Sequence, residues 1–247
     1  MQTNQIQIVK LLSQGKYQEV LDVLSHGNYC EVIPEGRISE IRGLAHYGLL
    51  DISSAIYHLE IATTMVPLSA VAQLSLASCY LNQKFPLAAE TIYRHLMTRC
   101  DVYDGKTLCT GVAEGLTRLD LPTEALSVCH RGLLQFPDSH RLNYLCGINL
   151  RQDGNSPNVT RDYFRRAVRQ NPESALYAIE YAKDCLEVDD VEDALETMRP
   201  IDPANISCVA VLQRLRLIYD RLGDEAMTEC CDDQLRAIYY QRQSKYS

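Results

Sequence analysis

The sequence has 247 residues, of which 46% are hydrophobic and 23% are charged, and this ordinary usage predicts a folded chain with a continuous core. Its formal net charge of −8 disfavours a phosphate backbone as the main partner, because nucleic-acid binding depends on clustered cations. The sequence contains no run of about 18 apolar residues, so it predicts no membrane-spanning helix. The first residues also lack the features of a secretory signal, so we expect a cytoplasmic protein without membrane contact.

One pattern recurs along the chain at intervals of 34 to 36 residues. Each copy lies in a segment whose apolar residues are spaced by three and four, which is the period of an amphipathic helix. The anchor positions of the pattern are Val20, Ala55, Ala89, Ala125, Thr160 and Ala194. A repeat of this length predicts pairs of helices that stack on their neighbours.

Residues 36–69 show the layout of one unit most clearly. Gly48 and Asp51 predict a short turn between two helices, and Pro67 predicts the end of the second helix because it lacks an amide donor. Gly43 and Ala55 are small, so they predict a close approach of the two helices. Each unit is therefore expected to be a helical hairpin.

The same layout divides the whole chain into units, which we place in a single array over residues 1–247. The six regular units are expected at about 1–33, 36–69, 70–103, 106–139, 140–174 and 175–206. A divergent capping hairpin is expected at 207–241, with Ala226 as its anchor and Arg214 where a small residue belongs. In the fifth unit, the turn after Gln152 is one residue longer, which explains its altered spacing.

These units resemble tetratricopeptide repeats, in which an alanine of the second helix is followed by a small residue and then by a proline. Three units carry these marks, as Ala55, Ala62 and Pro67, then Ala125, Gly132 and Pro137, then Thr160, Ala167 and Pro172. The resemblance covers nearly the whole chain in six to seven units. It implies an all-α fold, a right-handed α-solenoid of stacked antiparallel helix hairpins.

In tetratricopeptide arrays the first helix of every unit lines a concave groove, so the resemblance implies a partner-binding surface there. The candidate residues on this surface are Arg37, Tyr47, Leu74, Asn82, Arg118, Tyr144, Arg151 and Lys183. Their mixture of aromatic, apolar and basic side chains suits an extended or helical segment of a protein partner. The chain is thus expected to be a non-catalytic scaffold or adaptor.

No motif in the sequence indicates catalysis, a cofactor or a metal. There is no CxxC, and the six histidines show no metal-ligand spacing. The ten cysteines are expected to be reduced, with Cys129, Cys146 and Cys185 at buried positions of the repeat. We therefore expect no enzyme, no cofactor and no metal.

Other interpretations remain open beside the scaffold. The chain could be a self-associating subunit, with Tyr239, Tyr240 and Tyr246 as contacts, or an assembly or secretion chaperone. The pentatricopeptide proteins, which bind single-stranded RNA, have a similar period, and repeats also accompany catalytic domains. The acidic balance disfavours the RNA interpretation, and no residues are left over for a catalytic domain.

A basic helix face is followed by an acidic stretch. Arg161, Arg165 and Arg169 are spaced by four residues, and this arrangement could bind a phosphate or an acidic partner. The acidic residues of 184–196 come directly after it. The alternative is a solvated face whose charges compensate those of the adjacent unit, where each ion pair contributes little.

Overall fold

The computed structural model describes residues 2–26, 33–99 and 105–243. Within these ranges the chain forms fourteen α-helices and one 3-10 turn at Pro203–Asn205, and no strand. The helices are α1 (Gln2–Ser13), α2 (Tyr17–His26), α3 (Glu35–Gly48), α4 (Ile52–Met65), α5 (Ala70–Asn82), α6 (Pro86–Met97), α7 (Gly105–Arg118), α8 (Pro122–Gln135), α9 (His140–Gln152), α10 (Pro157–Gln170), α11 (Ala175–Glu187), α12 (Val191–Met198), α13 (Val209–Leu222) and α14 (Glu225–Gln243). The predicted all-α architecture is confirmed.

The chain forms two compact units, unit 1 at Met1–Leu121 and unit 2 at Pro122–Ser247. In unit 1 each helix from α1 to α7 packs against the next, and α3 also packs against α5 and α5 against α7. In unit 2 each helix from α8 to α14 packs against the next, and α11 also packs against α13. Each unit is thus a stack of antiparallel helices, and first helices of neighbouring hairpins pack together at α3, α5 and α7 in unit 1 and at α11 and α13 in unit 2.

The turn between the helices of each hairpin is the most regular part of the repeat. Each turn contains one residue whose φ angle is positive, between +59° and +82°. This residue recurs every 34 to 36 positions, as Gly15, Leu50, Lys84, Asp120, Gly154, Asp189 and Gly223. The amide that follows donates to a carbonyl five residues earlier, as from Asp51 to His46 at 3.0 Å and from Asp190 to Cys185 at 2.9 Å. This bond satisfies a carbonyl that the end of the helix leaves open.

Leu50 stands in this left-handed conformation at φ 62° with 80% of its surface exposed. A side chain with a Cβ atom is strained there, and glycine is not. We expect Leu50→Gly to raise the free energy of unfolding by about 1 kcal/mol, measured by urea denaturation. Leu50→Ala keeps the Cβ atom and should show no such gain, and an equal gain in both variants would contradict the strain.

The predicted small-residue packing is confirmed. All six anchor positions, from Val20 to Ala194, have an exposed fraction of 0%. A Cβ atom added to Gly43 would lie 2.6 Å from Cγ of Leu59, so the two helices of that hairpin approach as closely as a glycine permits. The packing leaves no room for a larger side chain at these positions.

Ala89 and its neighbour Ala88 provide a matched test of the register, because Ala89 is fully buried and Ala88 is exposed. Ala89→Leu should overpack the α5–α6 hairpin and lower the free energy of unfolding by about 1 to 3 kcal/mol. Ala88→Leu should leave it within about 0.5 kcal/mol of the wild type. Thermal melting of the two variants compares them directly, and equal melting would disprove the register.

The predicted register of the last hairpin is wrong by two residues. The small position lies seven residues before the turn residue in the regular hairpins, and here that place belongs to Arg216 and not to Arg214. Arg216 is accommodated because its Nε donates to Asp232 of α14 at 2.7 Å. Ala226, the predicted anchor, is exposed, and Thr228 takes the matching place.

Candidate functional site

All eight predicted partner-binding residues lie on first helices of the hairpins, namely α3, α5 and α7 in unit 1 and α9 and α11 in unit 2. In unit 1, α5 packs against both α3 and α7. In unit 2, the Tyr144 ring of α9 lies 4.9 Å from the Tyr177 ring of α11, and α11 packs against α13. We call the surface of α3, α5 and α7 the unit 1 face and the surface of α9, α11 and α13 the unit 2 face.

The unit 1 face is organised around the hydroxyl of Tyr93. This tyrosine of α6 is almost fully buried, and its hydroxyl lies 3.1 Å from the hydroxyl of Ser78 on α5. Burial raises the pKa of Tyr93, although the hydrogen bond with Ser78 and the charge of Arg118 lower it, and Tyr47 also lies within electrostatic range. Arg118 donates to Oδ1 of Asn82 at 2.9 Å. The fold therefore brings together two predicted residues, Asn82 and Arg118.

Two other predicted residues of unit 1 have packing roles. Leu74 is half-buried against Gly111 of α7, where an added Cβ atom would lie 2.6 Å from Cδ2 of Leu74. Arg37 pairs with the buried carboxylate of Glu40, which also accepts the amide of Ser69 at 3.0 Å. These contacts join α3 to the start of α5, so the side chains stabilise the face as well as forming part of it.

The unit 2 face contains a buried charge network that the sequence analysis missed. Glu180 and Asp184 of α11 have exposed fractions of only 3% and 0%. Arg151 of α9 donates to both carboxylates, with 2.6 Å between its Nη2 and Oδ1 of Asp184. Arg214 of α13 pairs with the other oxygen of Glu180, and Thr160 of α10 donates to Asp184. Three consecutive hairpins are thereby joined through α11.

The sequence placed Asp184 in a solvated acidic stretch, and this placement is wrong because the side chain points into the network. Burial raises the pKa of Asp184, while Thr160 and Arg151 lower it. A buried carboxylate is retained as an anion only where donors and cations compensate its desolvation. No sequence motif indicated this network, because its members come from four helices, α9, α10, α11 and α13.

Aromatic side chains surround this network. The Tyr144 ring lies 6.0 Å from the Phe164 ring, and the guanidinium of Arg151 lies 4.8 Å from the same ring centre. Burial and the nearby charge of Glu180 raise the pKa of Tyr144 to about 12, so its hydroxyl remains a donor at neutral pH. Tyr144 and Arg151 are therefore brought together. Lys183 is half-buried on the same helix as Glu180.

The positive charges of Arg161 and Arg165 on α10 are compensated by neighbouring carboxylates. Arg161 pairs with Asp190 at the start of α12 at 2.9 Å, and Arg165 pairs with Asp162 within α10 at 2.5 Å. Both contacts agree with the interpretation of a compensated outer face. Each exposed ion pair contributes little to stability on its own.

The cysteines are placed as the repeat pattern predicts. Cys129, Cys146 and Cys185 are fully buried, and none of the described cysteines forms a disulfide. Burial raises the pKa of Cys79 and Cys185 to about 11, so these thiols are protonated at neutral pH. Among the described residues no group of three or more metal-binding side chains could hold an ion, and no helix is long and apolar enough to span a bilayer.

Comparison with known proteins identifies the fold. No protein-family model matches the sequence, and no curated protein matches it significantly. Among solved structures, PilF of Pseudomonas aeruginosa is 17% identical with a TM-score of 0.65, covering 86% of this chain and 98% of its own. PilW, a type IV pilus biogenesis factor, is 18% identical with a TM-score of 0.66, covering 84% and 95%.

YrrB, described as a TPR protein with an unusual peptide-binding site, is 14% identical with a TM-score of 0.56, covering 84% of this chain and 98% of its own. These structural similarities agree with the seven turns and the six buried anchor residues, which recur in this chain with the same period. The chain has the all-α helical-hairpin fold of the tetratricopeptide-repeat proteins.

Proposed function

We propose that this chain is a non-catalytic scaffold or adaptor that binds a segment of a partner protein on its first-helix faces. The main support for the proposal is that side chains of successive first helices contact one another in each unit. Arg118 of α7 donates to Asn82 of α5 in unit 1, and the Tyr144 ring of α9 lies 4.9 Å from the Tyr177 ring of α11 in unit 2. Aromatic and arginine side chains of this kind dominate the affinity of protein interfaces.

The chemistry of the two faces favours a protein segment over RNA. Arg37, Arg151 and Arg214 are all paired with carboxylates of the chain, so little of their charge is left for phosphates. An extended or helical peptide needs fewer cations, because apolar contacts and hydrogen bonds supply its affinity. YrrB, a repeat protein described as having an unusual peptide-binding site, agrees with this choice.

An assembly role is the second candidate, since PilW is described as a pilus biogenesis factor. For either role we propose the cytoplasm as the compartment, because none of the eight described cysteines forms a disulfide and six of them are buried. Unbridged thiols in this number suit a reducing environment.

Affinity capture from native lysate with matched variants tests the proposal. The face variant combines Asn82→Ala, Arg118→Ala and Lys183→Ala on first helices. The control variant combines Tyr57→Ala, Leu87→Ala and Leu134→Ala, which are exposed positions of the second helices α4, α6 and α8. Both variants should melt within a few degrees of the wild type, because surface substitutions change stability by about 0.5 kcal/mol or less.

We expect a partner that binds wild type and control but binds the face variant at least about tenfold more weakly, which is about 1.4 kcal/mol. Equal capture by all three proteins would contradict the proposed surface. Binding of single-stranded RNA that weakens steeply with salt would favour the RNA interpretation instead.

A further inference from the structure

The helix α14 is the longest that the structure describes, with 19 residues, and it uses only one side for the hairpin. That side contains its one fully buried residue, Cys231, and the half-buried Met227, Leu235 and Ile238. Asp232 of α14 accepts a hydrogen bond from Arg216 of α13, so this side of α14 faces α13. The other side of α14 faces away from the hairpin.

Five exposed residues lie on that other side at alternating spacings of four and three. They are Ala226, Cys230, Asp233, Ala237 and Tyr240, and Tyr240 exposes 67% of its surface. This alternation is the spacing of the seam between two helices that pack along their length. We call these five positions the α14 seam.

The charges beside the α14 seam differ between the two halves of the helix. Glu229 lies beside the seam in the first half, and Arg236 lies beside it in the second half. Glu229 and Arg236 are seven residues apart on the same flank of the seam, so they occupy equivalent positions in successive heptads. A parallel second helix would leave Glu229 and Arg236 without an opposite charge across the pair, and an antiparallel one would bring Glu229 of one helix next to Arg236 of the other.

We propose that α14 pairs antiparallel with α14 of a second copy of this chain, about a two-fold axis. In this register Glu229 lies opposite Arg236 of the second copy, and the symmetry forms the pair twice. Ala226 lies opposite Ala237 of the second copy, and these small residues permit close packing of the helices. Asp233 already pairs with Arg236 of its own helix at 2.9 Å, so the positive charge of Arg236 compensates its carboxylate in the seam.

The proposal is independent of partner binding, because it uses no residue of the first-helix faces. A single pair of helices buries less surface than a standard interface, so the dimer should form reversibly. Sedimentation equilibrium under reducing conditions, from about 5 µM to about 500 µM, covers the range in which such interfaces dissociate. The wild type should rise from the monomer mass of 27.9 kDa toward twice that value.

Charge exchange tests the orientation. Glu229→Arg and Arg236→Glu each place like charges opposite each other in the dimer, so each should weaken dimerisation at least about tenfold. The variant with both substitutions restores opposite charges and should regain dimerisation to within about threefold of the wild type. Arg199→Glu, a charge change on the surface before the 3-10 turn, should leave dimerisation unchanged.

Circular dichroism of all variants checks that the single variants remain folded, and recovery in the double variant could not come from a folding defect. A wild type that stays monomeric throughout the concentration range would overturn the proposal. Dimerisation that survives both single exchanges, or that the double exchange does not restore, would overturn it as well.

Discussion

Arg151→Met is expected to lower the free energy of unfolding by about 3 to 5 kcal/mol, because it removes the cation shared by two buried carboxylates. Of the partners among the described residues, Glu180 would then keep Arg214 and Asp184 would keep the hydroxyl of Thr160. Methionine retains an apolar stem beside the Phe164 ring, so the loss reports the missing charge more than missing volume. Urea denaturation of the wild type and the variant gives the difference.

The pH dependence of this loss provides a second test. Burial already raises the pKa of Asp184 against the lowering by Thr160 and Arg151, and without Arg151 the pKa should rise further. The folded variant then binds a proton more tightly than its unfolded chain does. Its stability therefore falls as the pH rises from the unfolded pKa toward the folded one. We expect the deficit to shrink from neutral pH toward about pH 4, where the unfolded carboxyl also takes up its proton.

Arg165→Met is the control for this prediction. The side chain of Arg165 is 42% exposed and pairs with that of Asp162, which is 54% exposed, so its loss should cost about 0.5 kcal/mol or less. A deficit at Arg151 no larger than this, or one that grows on acidification, would show that the network does not stabilise unit 2.

Gly147→Ala is expected to lower the free energy of unfolding by about 2 to 3 kcal/mol through overpacking. The added Cβ atom would lie 2.5 Å from Cε1 of Phe164, which is fully buried and has no space to move. The higher helix propensity of alanine would offset about 1 kcal/mol at an open position. Thermal melting should therefore show a clear loss in spite of the better helix former.

Gly111→Ala is the matched control, since it is also a glycine inside a first helix. Its Cβ atom would meet Cδ2 of Leu74 at 2.6 Å, but Leu74 is only half-buried and can rotate away. We expect a change within about 1 kcal/mol of the wild type. If Gly147→Ala were tolerated as well as Gly111→Ala, the close approach of α9 and α10 would be wrong.

The repeat could be predicted from the sequence because small residues recur with its period. Val20, Ala55 and Thr160 differ in chemistry, yet all of them occupy the same fully buried place in their hairpins. The turn carries a weaker sequence signal. Leu50 and Lys84 adopt the left-handed conformation that glycine usually takes, so only the backbone shows that the turn is the same in every hairpin.

The site could be predicted only in part, because helical spacing tells which face a residue occupies but not what it meets. Asn82 and Arg118 are 36 residues apart, and their hydrogen bond depends on the packing of α5 against α7. The burial of Glu180 depends likewise on cations from two neighbouring hairpins. In the last hairpin Arg216 stands at the small position and pairs with Asp232, so the repeat pattern misplaced the register there.

The domain prediction of a single array stays a prediction, although each unit by itself shows the stacked hairpins that it requires. Tyr246, one of the residues considered for self-association, lies outside the described residues. Tyr239 and Tyr240 are both exposed on α14, and Tyr240 belongs to the seam of the dimer proposed above.

Binding on the first helices is tested most directly by site-specific photocrosslinking. The partner is the one that the capture experiment identifies. A photoreactive amino acid is placed at Asn82 or Lys183 on first helices, and at Leu87 or Leu134 on second helices. We expect crosslinks to the partner from Asn82 and Lys183 and none from Leu87 or Leu134. Crosslinks from the second helices alone would contradict this expectation.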